Sequence, residues 1–225
     1  MNKQQRIQVL KQQKISVGIL SSDWMKFPET LATLADHNVR LLHFDIADGN
    51  WSPLFTIGTM ALKPFGEPFL KDVHLMVKDP SALVQESVAL GADIITFQLE
   101  SDCPLLETYQ WMHSQTECIA GISLCPNTAL EQLVPYLQWI DMIQLLTLDP
   151  RTGLKMDSSQ FFERIQQLHF LFDKHHQHKI IAIDGSMTLE LATQLQDCDI
   201  DWVVSGSAFF KSDDLYDTLE KWSFK

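Results

Sequence analysis

Short apolar runs alternate with helical stretches eight times along this chain, and no other feature restricts its fold as strongly. The runs fall at 15–20, 41–46, 71–77, 93–100, 117–124, 139–147, 180–184 and 202–205. Between them, helical spacing or helix-start signals occur at 28–36, 79–91, 104–113, 128–137, 158–176, 188–195 and 213–222. Pro28 and Pro80 sit at the first helical position that proline favours. Strands that read as nearly continuous apolar runs are buried on both faces, which is the mark of a parallel sheet between helices. Eight such units in roughly 200–250 residues predict a single-domain (β/α)8 TIM barrel over 1–225, an α/β fold, with a short surface helix at about 2–13. A doubly wound open sheet is the alternative. It is disfavoured because no Gly-rich phosphate fingerprint follows the first strand.

Composition narrows the partners. The chain is 45% hydrophobic with a formal net charge of −12, so it has the material for a sizeable core and an acidic surface. Nucleic acid and anionic membranes both call for a basic face, so neither is expected as a partner. A small phosphorylated molecule needs only a local positive site and stays open. Cys103, Cys118, Cys125 and Cys198 show no CxxC spacing and are read as reduced thiols. Cys118 and Cys125 lie near opposite ends of one strand, too far apart to pair. The polar first residues lack an apolar signal core, and no run approaches the ~20 apolar residues of a membrane span. A cytoplasmic location is the expectation.

Within this frame a few polar residues stand out at strand ends. In Leu41-Leu42-His43-Phe44-Asp45-Ile46-Ala47-Asp48-Gly49, His43 and Asp45 are two apart and project to one face of the strand. His74 lies inside the apolar run Asp72-Val73-His74-Leu75-Met76-Val77, and Asp184 ends Ile180-Ile181-Ala182-Ile183-Asp184-Gly185. Each alone reads as well as a satisfied core hydrogen bond. In a barrel, however, the C-terminal strand ends share one mouth, where such enzymes carry their chemistry. Two neutral imidazoles and two carboxylates gathered there can hold one divalent ion. The set suits Zn, Mn, Fe or Co without choosing among them.

These blocks, together with Gly91-Ala92-Asp93-Ile94-Ile95-Thr96 and Ser205-Gly206-Ser207-Ala208-Phe209, resemble the ribulose-phosphate 3-epimerase family in order from Ile15 to about Phe210. The resemblance implies a barrel of the ribulose-phosphate binding type and an isomerase of the pentose phosphate pathway. Such an enzyme inverts C3 of a ketose phosphate, interconverting D-ribulose 5-phosphate and D-xylulose 5-phosphate. It implies that His43, Asp45, His74 and Asp184 ligate the metal and that Asp45 and Asp184 are the catalytic acid/base pair. It implies substrate contacts from His74 and Met76, and a phosphate site at Gly153, Gly185, Ser186, Gly206 and Ser207. A homo-oligomer is implied as well.

Departures from the family pattern cluster around the substrate. Gly18 stands where a serine is expected, Ala47 and Leu146 where methionines are, and Gln98 where a histidine is. The loop after the sixth strand reads Asp149-Pro150-Arg151-Thr152-Gly153-Leu154-Lys155 and retains one glycine. Arg151 and Lys155 are candidates to replace backbone donors with direct charge, against the alternative of solvated loop residues. The metal set is thus intact and the pocket altered. That leaves open another ketose phosphate such as D-allulose 6-phosphate, or a barrel that binds sugar phosphates without turning them over. His175, His176 and His178 precede the seventh strand and read as a solvated helix end.

Overall fold

The computed structural model describes residues 1–212 and 214–223. Eight parallel strands close into a barrel in sequence order. They are β1 (Ile15–Gly18), β2 (Leu41–Ala47), β3 (Leu70–Met76), β4 (Ile94–Gln98), β5 (Ile119–Leu124), β6 (Met142–Leu146), β7 (Ile180–Asp184) and β8 (Trp202–Ser205). The helices are α1 (Lys3–Leu10), α2 (Phe27–Asp36), α3 (Ser81–Ala89), α4 (Leu105–Gln115), α5 (Ser158–Lys174), α6 (Leu189–Gln194) and α7 (Leu215–Lys221). The expected start of the last helix, Asp213, lies outside the described residues.

One connection departs from the helical spacing expected of it, and proline explains the departure. The segment expected to be helical at 128–137 is a 3₁₀ helix, Leu130–Tyr136, with Pro135 inside it. Proline cannot donate the hydrogen bond an α-helix would need there. The β2–β3 connection carries Pro53, Pro64 and Pro68 and forms only the 3₁₀ turn Thr59–Leu62.

Strand alternation divides each strand's side chains between two layers. Leu42, Phe44 and Ile46 of β2 face the helices and join the larger core with Val73, Leu75, Ile95, Phe97 and Ile122. The inward residues at the start of the strands, among them Leu41, Leu70, Ile94, Ile119, Met142, Ile180 and Trp202, form a second core inside the barrel. Leu10, fully buried, closes that core from α1. The N-terminal helix therefore stoppers the lower end of the barrel as well as presenting a polar face. Arg6 pairs with Asp93 at 2.8 Å and Lys3 with Asp141 at 2.9 Å, holding α1 in place.

Three aspartates just before strands set the register at this end. Asp93, Asp141 and Asp201 accept the backbone N–H of Lys71, Ala120 and Ile181, each on the neighbouring strand, at 2.9 Å. With the lower half filled by apolar side chains, the upper half is left for polar ones.

Candidate active site

Moving up the barrel, the inward positions turn polar. Ser16, His43, Asp72, Thr96, Gln144 and then His74, Gln98 and Ser123 are all buried. The in-register pairing of β2 with β3 sets Asp45 opposite His74 and His43 opposite Asp72. His43 Nε2 lies 3.2 Å from Asp45 Oδ1, so the two side chains of the HxD motif do project together. His74 Nδ1 lies 3.1 Å from the same oxygen and 3.4 Å from Asp184 Oδ2. One ligand atom from each of His43, Asp45, His74 and Asp184 lies within 4.8 Å of the others. The imidazoles form a buried floor. Asp45 and Asp184 reach the cavity above it, with side chains 45% and 14% exposed.

The partners behind this group fix which ring nitrogens face it. His43 Nδ1 is 2.8 Å from Asp72 Oδ2, and both side chains are fully buried. Ser16 Oγ donates to the same Asp72 oxygen at 2.7 Å. An imidazole that gives Nδ1–H to Asp72 turns the lone pair of Nε2 toward Asp45 and Asp184. The Gln98 amide nitrogen lies 2.6 Å from His74 Nε2, while the buried Gln98 oxygen has no partner. Gln144 Nε2 lies 3.2 Å from His74 Nδ1, which calls for a lone pair there. Turning the Gln98 amide over, so that its oxygen accepts Nε2–H, provides that tautomer and directs the Nδ1 lone pair at the two carboxylates. Gln144 adds a donor to Asp184 Oδ2 at 3.0 Å, and Gly185 N–H binds Asp184 Oδ1 at 2.6 Å.

Two lone pairs facing two carboxylates repel unless protons or a cation lie between them. In the metal-free protein, protons do this work. Burial disfavours a charged His43, yet the Asp72 and Asp45 carboxylates outweigh it and hold the pKa well above the ordinary value. His74 is raised in the same way: burial opposes its charge, and hydrogen bonds to Asp184 and Asp45 overcome that. Burial would raise Asp45, but its charge and hydrogen-bond contacts with His43 and His74 hold it far below the usual carboxylate range. The donor set, two imidazoles oriented by outer partners and two carboxylates, is the kind that binds a divalent transition metal.

Above the group lies a cleft of about 650 Å³. Met76, Gly153, Gly185, Ser186, Gly206 and Ser207 all line it, so the loops after β6, β7 and β8 converge as expected. Gly185 and Ser186 take left-handed backbone angles, φ 98° and 46°, which turn the β7 loop over the site. Lys155 and Lys211 also line the cleft. Arg151 does not. Its guanidinium is held bidentately by Asp149, at 2.8 and 3.0 Å, and covers the ring of Trp51 at 5.3 Å. In this arrangement a closer anion on its own loop holds the Arg151 guanidinium away from the cleft.

The outer partners Asp72, Ser16 and Gln144 and the cleft residue Lys211 were not singled out from the sequence. Asp72 carried a usable signal, since it is two residues before His74 and so shares its face. Gln144, an amide inside an apolar strand, carried another.

A model of the ribulose-phosphate 3-epimerase family matches residues 14–210. The chain belongs to this family. Its named members are isomerases, and this chain is one by membership. LsrE of Salmonella typhi, which carries a provisional epimerase name, is 42% identical over 92% of this chain and 85% of its own length. The ribulose-phosphate 3-epimerase of Escherichia coli strain K12 is 29% identical over 94% and 95%. Among solved structures, KGPDC from Streptococcus mutans superimposes with a TM-score of 0.68 at 10% identity, covering 93% of this chain and 94% of that one. Phosphoribosyl anthranilate isomerase from Thermus thermophilus gives a TM-score of 0.61 at 10% identity over 92% and 97%. At such identities these two likenesses speak to the barrel alone. Among the described residues, no helix of this epimerase-family chain is long and apolar enough to cross a membrane.

Proposed function

We propose that the protein is a divalent-metal-dependent epimerase that inverts C3 of a ketose phosphate, with D-ribulose 5-phosphate and D-xylulose 5-phosphate as the reference pair. The observation that carries this reading is the pair of cavity-facing carboxylates, Asp45 and Asp184, set on a floor of two buried imidazoles. Inversion requires proton removal from one face of C3 and return to the other, so one acid/base group is not enough. Asp45 and Asp184 come from β2 and β7, which are not neighbours in the barrel.

In one direction a carboxylate takes the C3 proton, and the C3–H electron pair moves toward the C2 carbonyl, giving an enediolate. The other residue, protonated, then returns a proton to the opposite face. A divalent ion held by His43, Asp45, His74 and Asp184 would supply electrostatic stabilisation for the negative charge that develops on the substrate. Gln144 and the Gly185 N–H hold both oxygens of Asp184 and aim it. The phosphate is assigned to the cleft of Gly153, Gly185, Ser186, Gly206 and Ser207, with Lys155 and Lys211 adding charge. A cytoplasmic location and a homo-oligomer accompany this reading on family likeness.

The altered pocket supports a second substrate reading within the same chemistry. Gly18 cannot be exchanged for a serine without a shift, because an added Cβ would lie 2.8 Å from Gly206 Cα. A ketose phosphate other than the reference pair, such as D-allulose 6-phosphate, is the alternative that this altered pocket leaves open. The test follows C3 inversion together with solvent deuterium incorporation at C3 in the wild type and in Asp184→Asn, each loaded with metal. The variant should lose at least ~100-fold in inversion while keeping its fold, with exchange confined to the face that Asp45 serves. Full epimerisation by Asp184→Asn would refute the two-base assignment. Ligand-dependent stabilisation without any exchange in the wild type would leave a binding protein instead.

A further inference from the structure

The cavity over the carboxylates has two arms of opposite character. One is the phosphate cleft with Lys155 and Lys211. The other, about 660 Å³, shares Asp45, Asp184, Ser21, Val204 and Gly206 with it and runs toward the loops after β1 and β2. Its walls away from the carboxylates are Leu20, Trp24, Phe55 and Ile57. The side chains of Trp24, Phe55 and Ile57 are turned to solvent, with 55%, 82% and 39% of these residues exposed. Exposed aromatic and branched side chains gathered at the mouth of a site mark a surface that something apolar covers.

The loop geometry holds them there. Asp48 pairs with Phe55 in an antiparallel bridge, and its carboxylate accepts N–H groups from Asn50, Trp51 and Lys78. Thr56 Oγ1 donates to the Asp45 carbonyl at 2.8 Å and accepts the Ala47 N–H at 2.9 Å. With Thr56 tied to β2 on both counts, its neighbours Phe55 and Ile57 overhang the arm. The same two bonds occupy the Thr56 hydroxyl. Gly18 offers no side chain. That leaves Ser21 as the polar side chain on this arm that is not already engaged by the carboxylate group.

A ketose phosphate has its phosphate at one end of the chain, the reacting C3 in the middle and the C1 group at the other end. With phosphate beside the lysines and C3 at the carboxylates, the C1 group enters the apolar arm. A hydroxymethyl group packed against these side chains gives up part of its water and finds the Ser21 hydroxyl as its one free side-chain partner on this arm, which is unfavourable. A methyl or other apolar group gains by the same burial. We infer that this arm is a subsite for an apolar terminal group, so that the preferred substrates are ketose phosphates lacking the C1 hydroxyl. The inference rests on the proposed epimerase reading and specifies the substrate class of that site.

The test compares 1-deoxy-D-xylulose 5-phosphate with D-xylulose 5-phosphate, a pair differing in that one oxygen. C3 deuterium exchange is followed for both with the metal-loaded wild type and with a Phe55→Ser, Ile57→Ser double variant. The wild type should favour the 1-deoxy compound roughly 10- to 100-fold in kcat/KM, and the double variant should bring the ratio toward one. Equal or reversed preference in the wild type overturns the subsite and leaves the epimerase reading standing. Absence of exchange with both compounds and with every other ketose phosphate tried overturns both. A double variant that changes the oligomer size and leaves the preference untouched also overturns the subsite, because the apolar wall is then a contact between copies.

Discussion

Replacing Asp72 by asparagine keeps the shape behind His43 and removes its charge. Both side chains are fully buried, and the Nδ1 to Oδ2 distance is 2.8 Å. A hydrogen bond to a charged group in such a setting contributes about 1.5–3 kcal/mol, and a neutral one about 0.5–1.5. The amide oxygen of the new side chain can still accept Nδ1–H, so the loss is the difference, roughly 1–2 kcal/mol. At about 1.36 kcal/mol per factor of ten, metal affinity should fall roughly 5- to 30-fold. That agrees with the roughly 10- to 100-fold typical of residues that orient a metal ligand from behind. Chelator competition with Zn or Mn on the purified protein measures it directly. Ser16→Ala provides the graded control. It removes one donor to Asp72 and leaves the carboxylate in place, so its effect should be the smaller. An Asp72→Asn protein that binds metal as tightly as the wild type would refute the view that Asp72 holds His43 in its binding tautomer.

Two further outcomes follow from the same geometry. Metal uptake near neutral pH should release protons, because the metal-free protein holds His43 and His74 above their ordinary values and binding needs both neutral. Titration calorimetry in buffers of different ionisation enthalpy reads this as a buffer-dependent heat; a buffer-independent heat would contradict it. The sign for stability runs the other way. Raised folded pKa values make the metal-free protein's gain from these imidazoles complete below about pH 6.5 and lost as pH rises through the folded values. For the phosphate cleft, Arg151→Ala should leave KM within about twofold, since its guanidinium is already bound by Asp149. Lys155→Ala with Lys211→Ala should raise KM roughly 10-fold. Steady-state kinetics on one ketose phosphate separates the two.

How much of this was legible in the sequence depends on the range of the interactions involved. His43, Asp45, His74 and Asp184 could be found because strand periodicity is local and barrel closure then brings the strand ends together. Asp72 obeys the same period, but its role becomes visible only when β2 and β3 pair in register. Gln144 meets His74 and Asp184 across strands far apart in sequence. The placement of Arg151 was hidden for the opposite reason: two residues away, Asp149 competes for it within a loop whose conformation no periodicity specifies. The 3₁₀ helix at Leu130–Tyr136 followed from Pro135, a local signal that helical spacing alone overrides. The apolar sparseness of α1 hid its part in closing the barrel, since one fully buried side chain, Leu10, carries most of it, with Ile7 and Val9 packed partly buried beside it.

The central claim is that His43, Asp45, His74 and Asp184 hold one divalent cation between them. Metal content per chain, measured after loading and gel filtration for the wild type and for His43→Ala with His74→Ala, tests it most directly. One equivalent in the wild type and loss of that equivalent in the double variant is the expected result. A double variant that retains a full equivalent would contradict the claim, as would a correctly folded wild type that takes up none.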